Sequence, residues 1–179
     1  PETCFRVASV SKLVMTFGAL SLVESGQLSL DKDLSAYLGY PVRNPHAPDI
    51  PVTLRMLLTH SAALCDEGNY GSRGMQPGCT LRELLSAPEN WLSARPGESF
   101  HYSNLGAGVA GVVMERAADM PFDDIMRQRV FEPLSIRASY DPRRISPVSD
   151  LSNGYGVRFF LPRLKYDAAK LAARPAEPF

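Results

Sequence analysis

Phe5-Arg6-Val7-Ala8-Ser9-Val10-Ser11-Lys12 sets a serine and a lysine three residues apart where a long helix is predicted to begin. Positions i and i+3 share a helix face, so the Ser9 hydroxyl and the Lys12 amine can meet. A serine hydroxyl is a poor nucleophile without a neighbouring base. A lysine held in a partly desolvated pocket can lose its proton and serve as one. Spacing alone does not decide this, because Ser29-Leu30-Asp31-Lys32 has the same spacing. That second copy lies between a glycine and two aspartates in a short connection. The first follows an apolar run and leads into Leu13-Val14-Met15-Thr16-Phe17.

The periodicity around the pair predicts a short strand end over residues 4 to 8 and a helix from residue 9 to about 25. Val10, Leu13, Val14, Phe17 and Leu20 fall on one stripe, predicted to face a core, with Ser9, Lys12 and Thr16 on a neighbouring stripe. Gly26 is a natural residue to end that helix. The reactive pair thus sits at a helix N-terminus, where backbone N–H groups and the helix dipole favour negative charge.

Further along, residues 31–38 suggest a short helix and residues 39–52 a loop. Thr53 can cap a helix running to His60. Residues 61–79, with Gly68, Gly71, Gly74 and Gly78, read as a long loop. Thr80-Leu81-Arg82-Glu83 is a capping box opening another helix. Pro96-Gly97 marks a turn within the loop of residues 88–101. A helix rich in small residues is predicted from about Ser103 to Ala118. Pro121 begins one more, with Phe122, Ile125, Met126 and Val130 on its apolar side. Residues 132–179 show little periodicity.

At 179 residues the chain is long enough for a domain with a real core. Its 45% hydrophobic and 21% charged residues are those of a soluble globular protein. Nineteen basic and nineteen acidic residues cancel, which argues against nucleic acid as a partner. No apolar run reaches the length of a membrane span, and no secretory leader is visible. Cys4, Cys65 and Cys79 are an odd number. Cys65 and Cys79 could pair in an exported protein, but three separate thiols is the favoured reading. The three histidines show no metal-ligand spacing, and nothing suggests a cofactor.

Phe100-His101-Tyr102-Ser103-Asn104-Leu105-Gly106 forms a second constellation. It offers a phenol and a carboxamide at the start of a helix. Beside a lysine ammonium a phenolate is favoured, so Tyr102 could accept the Ser9 proton. Asn104 could hold a substrate amide or the lysine. Taken alone, a buried tyrosine and a helix-capping asparagine would explain the same residues.

The two motifs together resemble the serine β-lactamase and penicillin-binding protein superfamily, above all its class C β-lactamase-like branch, which includes D-alanyl-D-alanine peptidases and esterases. The resemblance covers most of residues 4 to 137. Phe5 to Lys12 is similar to that family's nucleophile motif, and Leu54 to Leu64 to its "LLTHTSGL" segment. Arg95 to Gly106 resembles "PG…YSN.G", and Phe131-Glu132-Pro133-Leu134 resembles "F.PLG". Ala63, Asp119 and Ser135 stand where the family usually has glycine.

The resemblance implies an α+β, β-lactamase/transpeptidase-like fold. Residues 1–179 would be a partial domain, mainly its helical part, lacking most of the core antiparallel sheet. The family's third motif, Lys-Thr-Gly or His-x-Gly on a strand, is not found. The implied activity is that of a serine hydrolase forming an acyl-enzyme on a β-lactam, a D-alanyl peptide or a small ester. Ser9 would be the nucleophile, and Lys12 and Tyr102 would share general-base work, with the first acceptor left open. Asn104 would contact substrate or Lys12. Backbone N–H groups, one from Ser9, would hold the oxyanion. Losing the second donor with the third motif would cost about 100- to 1,000-fold in rate, so this chain alone is expected to be weakly active or inactive. The other reading is a non-catalytic binding or interaction domain of the same fold. His60 is expected to bond within its turn and His101 to flank the pocket, neither being catalytic. Trp91 and Tyr70 could line a cleft, although Trp91 is read first as core. The implied location is periplasmic or extracellular. The oligomeric state stays open.

Overall fold

The computed structural model describes residues 2–74, 76–158 and 161–166. The described chain is mainly helical: α1 (Val10–Glu24), α2 (Ser35–Leu38), α3 (Leu54–Leu58), α4 (Tyr70–Arg73), α5 (Leu81–Ser86), α6 (Asn104–Ala118) and α7 (Phe122–Met126). Single 3₁₀ turns occur at Pro88–Asn90, Pro142–Arg144 and Val148–Asp150, and a π-turn continues α7 over Arg127–Phe131. The described sheet is one antiparallel pair, β1 (Gly154–Arg158) and β2 (Leu161–Tyr166), with Tyr155 opposite Leu164. Two compact units are present. One comprises Pro1–Gly18 with Asp123–Pro178, and the other Ala19–Phe122.

In the second unit the predicted caps fix the helix ends. The Thr53 hydroxyl accepts the Met56 amide at the start of α3. Thr80 and Glu83 exchange side-chain and backbone bonds in a complete capping box at α5. Each such cap contributes about 1 kcal/mol. α6 packs on α2 and α3. At Gly106 a Cβ would meet Leu57 Cδ2 at 3.8 Å, an ordinary van der Waals contact, so this glycine borders α3 without being required by the packing. Leu34, Leu54, Leu57, Leu64, Val109 and Met114 fill this core. Trp91 is core as well, 4% exposed, with its indole N–H donated to the Leu85 carbonyl at 3.0 Å. Asn90, like Asn44, is a buried polar residue that ties loop to loop. It is 0% exposed and makes four hydrogen bonds, to Leu84, Asn69 and Tyr70.

In the first unit Ile125, Met126, Val130, Phe131 and Ile145 are buried, and Phe131 stacks on Tyr140. Arg144 pairs with Asp123 and Asp124, and Arg137 with Asp150.

Four predictions need correction. Residues 4–8 do not form a strand end: only Cys4 makes a bridge, parallel to Leu151, while Phe5 and Val7 are exposed. The helical period placed α1 correctly but not its covered face. Val10, Leu13, Phe17 and Leu20 are exposed, and Met15, Ala19 and Leu22 are buried. α1 is apolar on two sides, and period alone cannot say which side meets a core. The loop of residues 61–79 contains α4, and the stretch read as unpatterned after residue 132 contains β1 and β2. α1 ends as expected, with Gly26 at φ +74° and the amides of Gln27 and Leu28 bonded back to the Leu22 carbonyl.

Candidate active site

The chain enters α1 through a tight turn. Ala8 holds φ +46°, in the left-handed region, which costs a non-glycine residue about 1–2 kcal/mol. The amides of Val10, Ser11 and Lys12 bond back to the carbonyls of Val7, Ala8 and Ser9. This turn puts Ser9 at the exposed head of the helix, with Lys12 one turn on and half-buried. Lys12 Nζ donates to Ser9 Oγ at 3.3 Å, the pairing the i, i+3 spacing predicted. The Tyr140 hydroxyl donates to the Ser11 carbonyl, and Thr16 to that of Lys12, so the backbone beneath the pair is anchored. Burial pushes the Tyr140 phenol up to about 12. The second serine–lysine spacing behaves differently. Lys32 lies over the Tyr37 ring at 4.8 Å, and Ser29 Oγ accepts the Asp31 amide.

Tyr102 and Asn104 belong to the second unit, at the start of α6. Ser103 is the N-cap, accepting the Gly106 amide at 3.0 Å. Two residues that the sequence reading left without a site role hold this segment. The Asp66 carboxylate accepts four hydrogen bonds: from Ser103 Oγ (2.9 Å), Asn104 N (2.8 Å), Asn104 Nδ2 (2.7 Å) and Leu105 N (3.0 Å). Burial alone would raise its pKa, but these bonds outweigh burial and hold the carboxyl below its usual range. His60, itself at φ +55°, accepts the Ser103 amide through Nδ1 at 3.3 Å. Its ring packs against Tyr102, with centroids 4.6 Å apart, and against the edge of Phe100. His60 therefore reaches beyond its own turn. A neutral ring with the proton on Nε2 is the form that can accept at Nδ1. His101 lies 3.4 Å from Glu67 through Nε2.

The backbone around these residues is closely threaded. The His101 amide bonds the His60 carbonyl, that of Gly97 bonds Ser61, that of Leu92 bonds Ala63, and that of Cys65 bonds Asn90. One clue to Asp66 was in the sequence: it is the first charged residue after the apolar run Ala62–Cys65, which places its carboxylate at the edge of buried chain. Its partners, 37 to 39 residues away, could not be read from local pattern. Cys65 is buried against the Glu89 carbonyl, and all three cysteines are free. Among the described residues no group of three or more His, Cys, Asp or Glu could hold a metal ion, and no helix is long and apolar enough to cross a membrane.

The family model described as Beta-lactamase matches residues 1–169. The chain belongs to the Beta-lactamase family. It is similar to Esterase EstB of Burkholderia gladioli, 34% identical over 167 residues, covering 81% of this chain and 41% of that protein. It is also similar to the D-alanyl-D-alanine-carboxypeptidase/endopeptidase AmpH of Escherichia coli, 28% identical over 79% of this chain and 38% of that protein. Among solved structures, EstCE1, a hydrolase with promiscuous acyltransferase activity, superposes with a TM-score of 0.74 at 28% identity. That match covers 91% of this chain and 45% of the other. The chain thus spans about two fifths of the length of these curated relatives. The expected β-lactamase/transpeptidase fold is the one these neighbours share, and the described residues are mainly its helical part.

Proposed function

We propose that the protein carrying these residues is a serine hydrolase that works through an acyl-enzyme, with small esters as its first substrate class. The observation that carries the reading is the 3.3 Å approach of Lys12 Nζ to Ser9 Oγ at the head of α1. Ser9 Oγ attacks the substrate carbonyl and gives its proton to Lys12 or Tyr102 acting as base. The tetrahedral oxyanion is held by backbone N–H groups, that of Ser9 among them. Collapse expels the alcohol, which takes a proton from the acid form of the same base. Water then attacks the acyl-serine and gives its proton to that base, which passes it to Ser9 Oγ as the acid is freed. Asn104 contacts the substrate or Lys12. The preference for esters rests on two relatives above 30% identity, Esterase EstB and the lovastatin esterase of Penicillium rubens. D-alanyl peptides and β-lactams use the same bond changes with an amine leaving group. A periplasmic or extracellular location follows from the same family reading.

A fluorophosphonate probe tests the nucleophile. Wild-type protein should be labelled, and the modified peptide should contain Ser9. Ser9→Ala should abolish the label and lower turnover by about 1,000-fold or more. Labelling at another residue, or none in the wild type, would sink the reading and favour a non-catalytic binding domain. Turnover of p-nitrophenyl butyrate measured beside a chromogenic cephalosporin and a D-alanyl-D-alanine peptide then ranks the substrate classes.

A further inference from the structure

We propose that Asp66 is a positioning residue that sets which end of the Asn104 carboxamide is turned away from Asp66. The proposal rests on the reading of Asn104 as a site residue.

A deprotonated carboxylate can only accept hydrogen bonds. Asp66 Oδ2 lies 2.7 Å from the Asn104 side-chain amide, so the group facing it must be the NH₂. Asn104 Oδ1 is thereby the end turned away from Asp66, and the asparagine presents an acceptor rather than a donor. The two ends of the carboxamide are nearly the same size, so shape alone does not choose between them, whereas the Asp66 charge does. The same Oδ2 also accepts the Asn104 backbone amide, while Oδ1 accepts the Ser103 hydroxyl and the Leu105 amide. Asp66 therefore fixes the first residues of α6 and one side chain on them as a single unit. A negative charge at a helix N-terminus is favourable in its own right.

The carboxylate stands on rigid ground. Cys65 before it is bonded by its amide to the Asn90 carbonyl. Asn69 and Tyr70 after it donate their amides to Asn90 Oδ1. Gly68 between them passes so near residue 89 that a Cβ would stand 2.2 Å from the Glu89 carbonyl oxygen. A carboxylate on a mobile loop could not hold an orientation. This one is held on both sides.

Asp66→Asn keeps the shape and removes the charge. One of its ends must now present a donor where Asp66 accepted two bonds, and where that end faces Asn104, reversal of the Asn104 carboxamide relieves one of the two clashes. We expect acylation to fall about 10- to 100-fold, the scale of a small misplacement in a reacting site. Acylation rates of wild type, Asp66→Asn, Asp66→Ala, Asn104→Ala and Asp66→Ala/Asn104→Ala would be measured with p-nitrophenyl butyrate, each protein at the same interval below its own melting temperature. If Asp66 acts through Asn104, the double variant should be no more than about twofold slower than the worse single one. Independent structural damage would instead multiply the losses. In ¹⁵N-labelled protein the Asn104 side-chain NH₂ should exchange slowly in the wild type and quickly in Asp66→Asn. Multiplying losses, or an Asp66→Asn protein with wild-type rate and wild-type NH₂ exchange, would overturn the proposal. If the wild type fails to acylate, the hydrolase reading falls, and the exchange of the Asn104 NH₂ still decides the role of Asp66.

Discussion

Replacing Asn90 by alanine should be among the most damaging single changes in the second unit. The side chain is 0% exposed. Its NH₂ donates to the Leu84 carbonyl at 2.9 Å and to Asn69 Oδ1 at 2.8 Å, and its Oδ1 accepts the amides of Asn69 at 2.9 Å and Tyr70 at 3.2 Å. Each bond contributes about 1 kcal/mol net, and a buried group left unpaired costs about 1–3 kcal/mol. Four bonds give about 4 kcal/mol. A water entering the vacated space would trim this and an unpaired Leu84 carbonyl would add to it, so we expect about 3–5 kcal/mol. Domains of this size are stable by about 5–15 kcal/mol, so the variant should lose a large part of its margin. Trp91, the chain's one tryptophan, is buried next door. Its fluorescence during urea denaturation of the full chain reads this region. Asn69→Ala provides the internal comparison, because it removes one acceptor from Asn90 and an exposed bond to Glu89 Oε1 and leaves both backbone amides bonded. It should cost about 1 kcal/mol. The reasoning is refuted if Asn90→Ala loses less than about 1.5 kcal/mol at an unchanged denaturant slope, or if Asn69→Ala loses as much.

Ser135 is exposed and holds φ +54°, so Ser135→Gly should stabilise by about 0.5–1 kcal/mol, read as a rise in melting temperature; a fall would count against backbone strain there. The Tyr140 phenol is pushed up to about 12, chiefly by burial. Its neutral form is the one the fold favours, so its contribution is intact below pH 10 and lost as pH rises from 10 toward 12. Tyr140→Phe should flatten that part of the alkaline melting curve, and a curve parallel to wild type would contradict it. The Asp66 carboxyl is held low, so its contribution is present above the ordinary carboxylate pKa of about 3.9 and is lost as pH falls through its lowered folded value. Between pH 5 and pH 2 the wild type should therefore lose more melting temperature than Asp66→Asn, and equal losses would argue that the four bonds are not made in solution.

Much of the helical framework was legible because its signals are local. Thr53, Thr80 and Ser103 each bond an amide three residues ahead, and Gly26 turns left-handed directly after α1. The contact between Ser9 and Lys12 was legible for the same reason. Ala63, Asp119 and Ser135 stood out as replacements for usual glycines. All three hold a positive φ, from +49° to +59°, the conformation that glycine suits best. What could not be read depends on distant chain. The covered face of α1 was one such feature, and the reach of His60 to Ser103 and Tyr102 was another. The pairing of Tyr155 with Leu164 escaped because neither strand alternates cleanly.

The bond from Asp66 to the first amide of α6 spans 38 residues, whereas the last turn of the same helix is closed within it, Asp119 bonding back to Glu115. The C-terminal end and the Ser103–Gly106 cap can form from nearby chain, while the Asp66 bonds to the Asn104 and Leu105 amides wait for a long loop to close, which carries a larger entropic cost. The order reverses on opening. A thermal excursion that releases the Cys65–Tyr70 segment would unwind α6 from its Tyr102 end first, without melting the rest of the helix. Native-state hydrogen exchange should then rank the amides of Asn104 and Leu105 below those of Val109 to Val113.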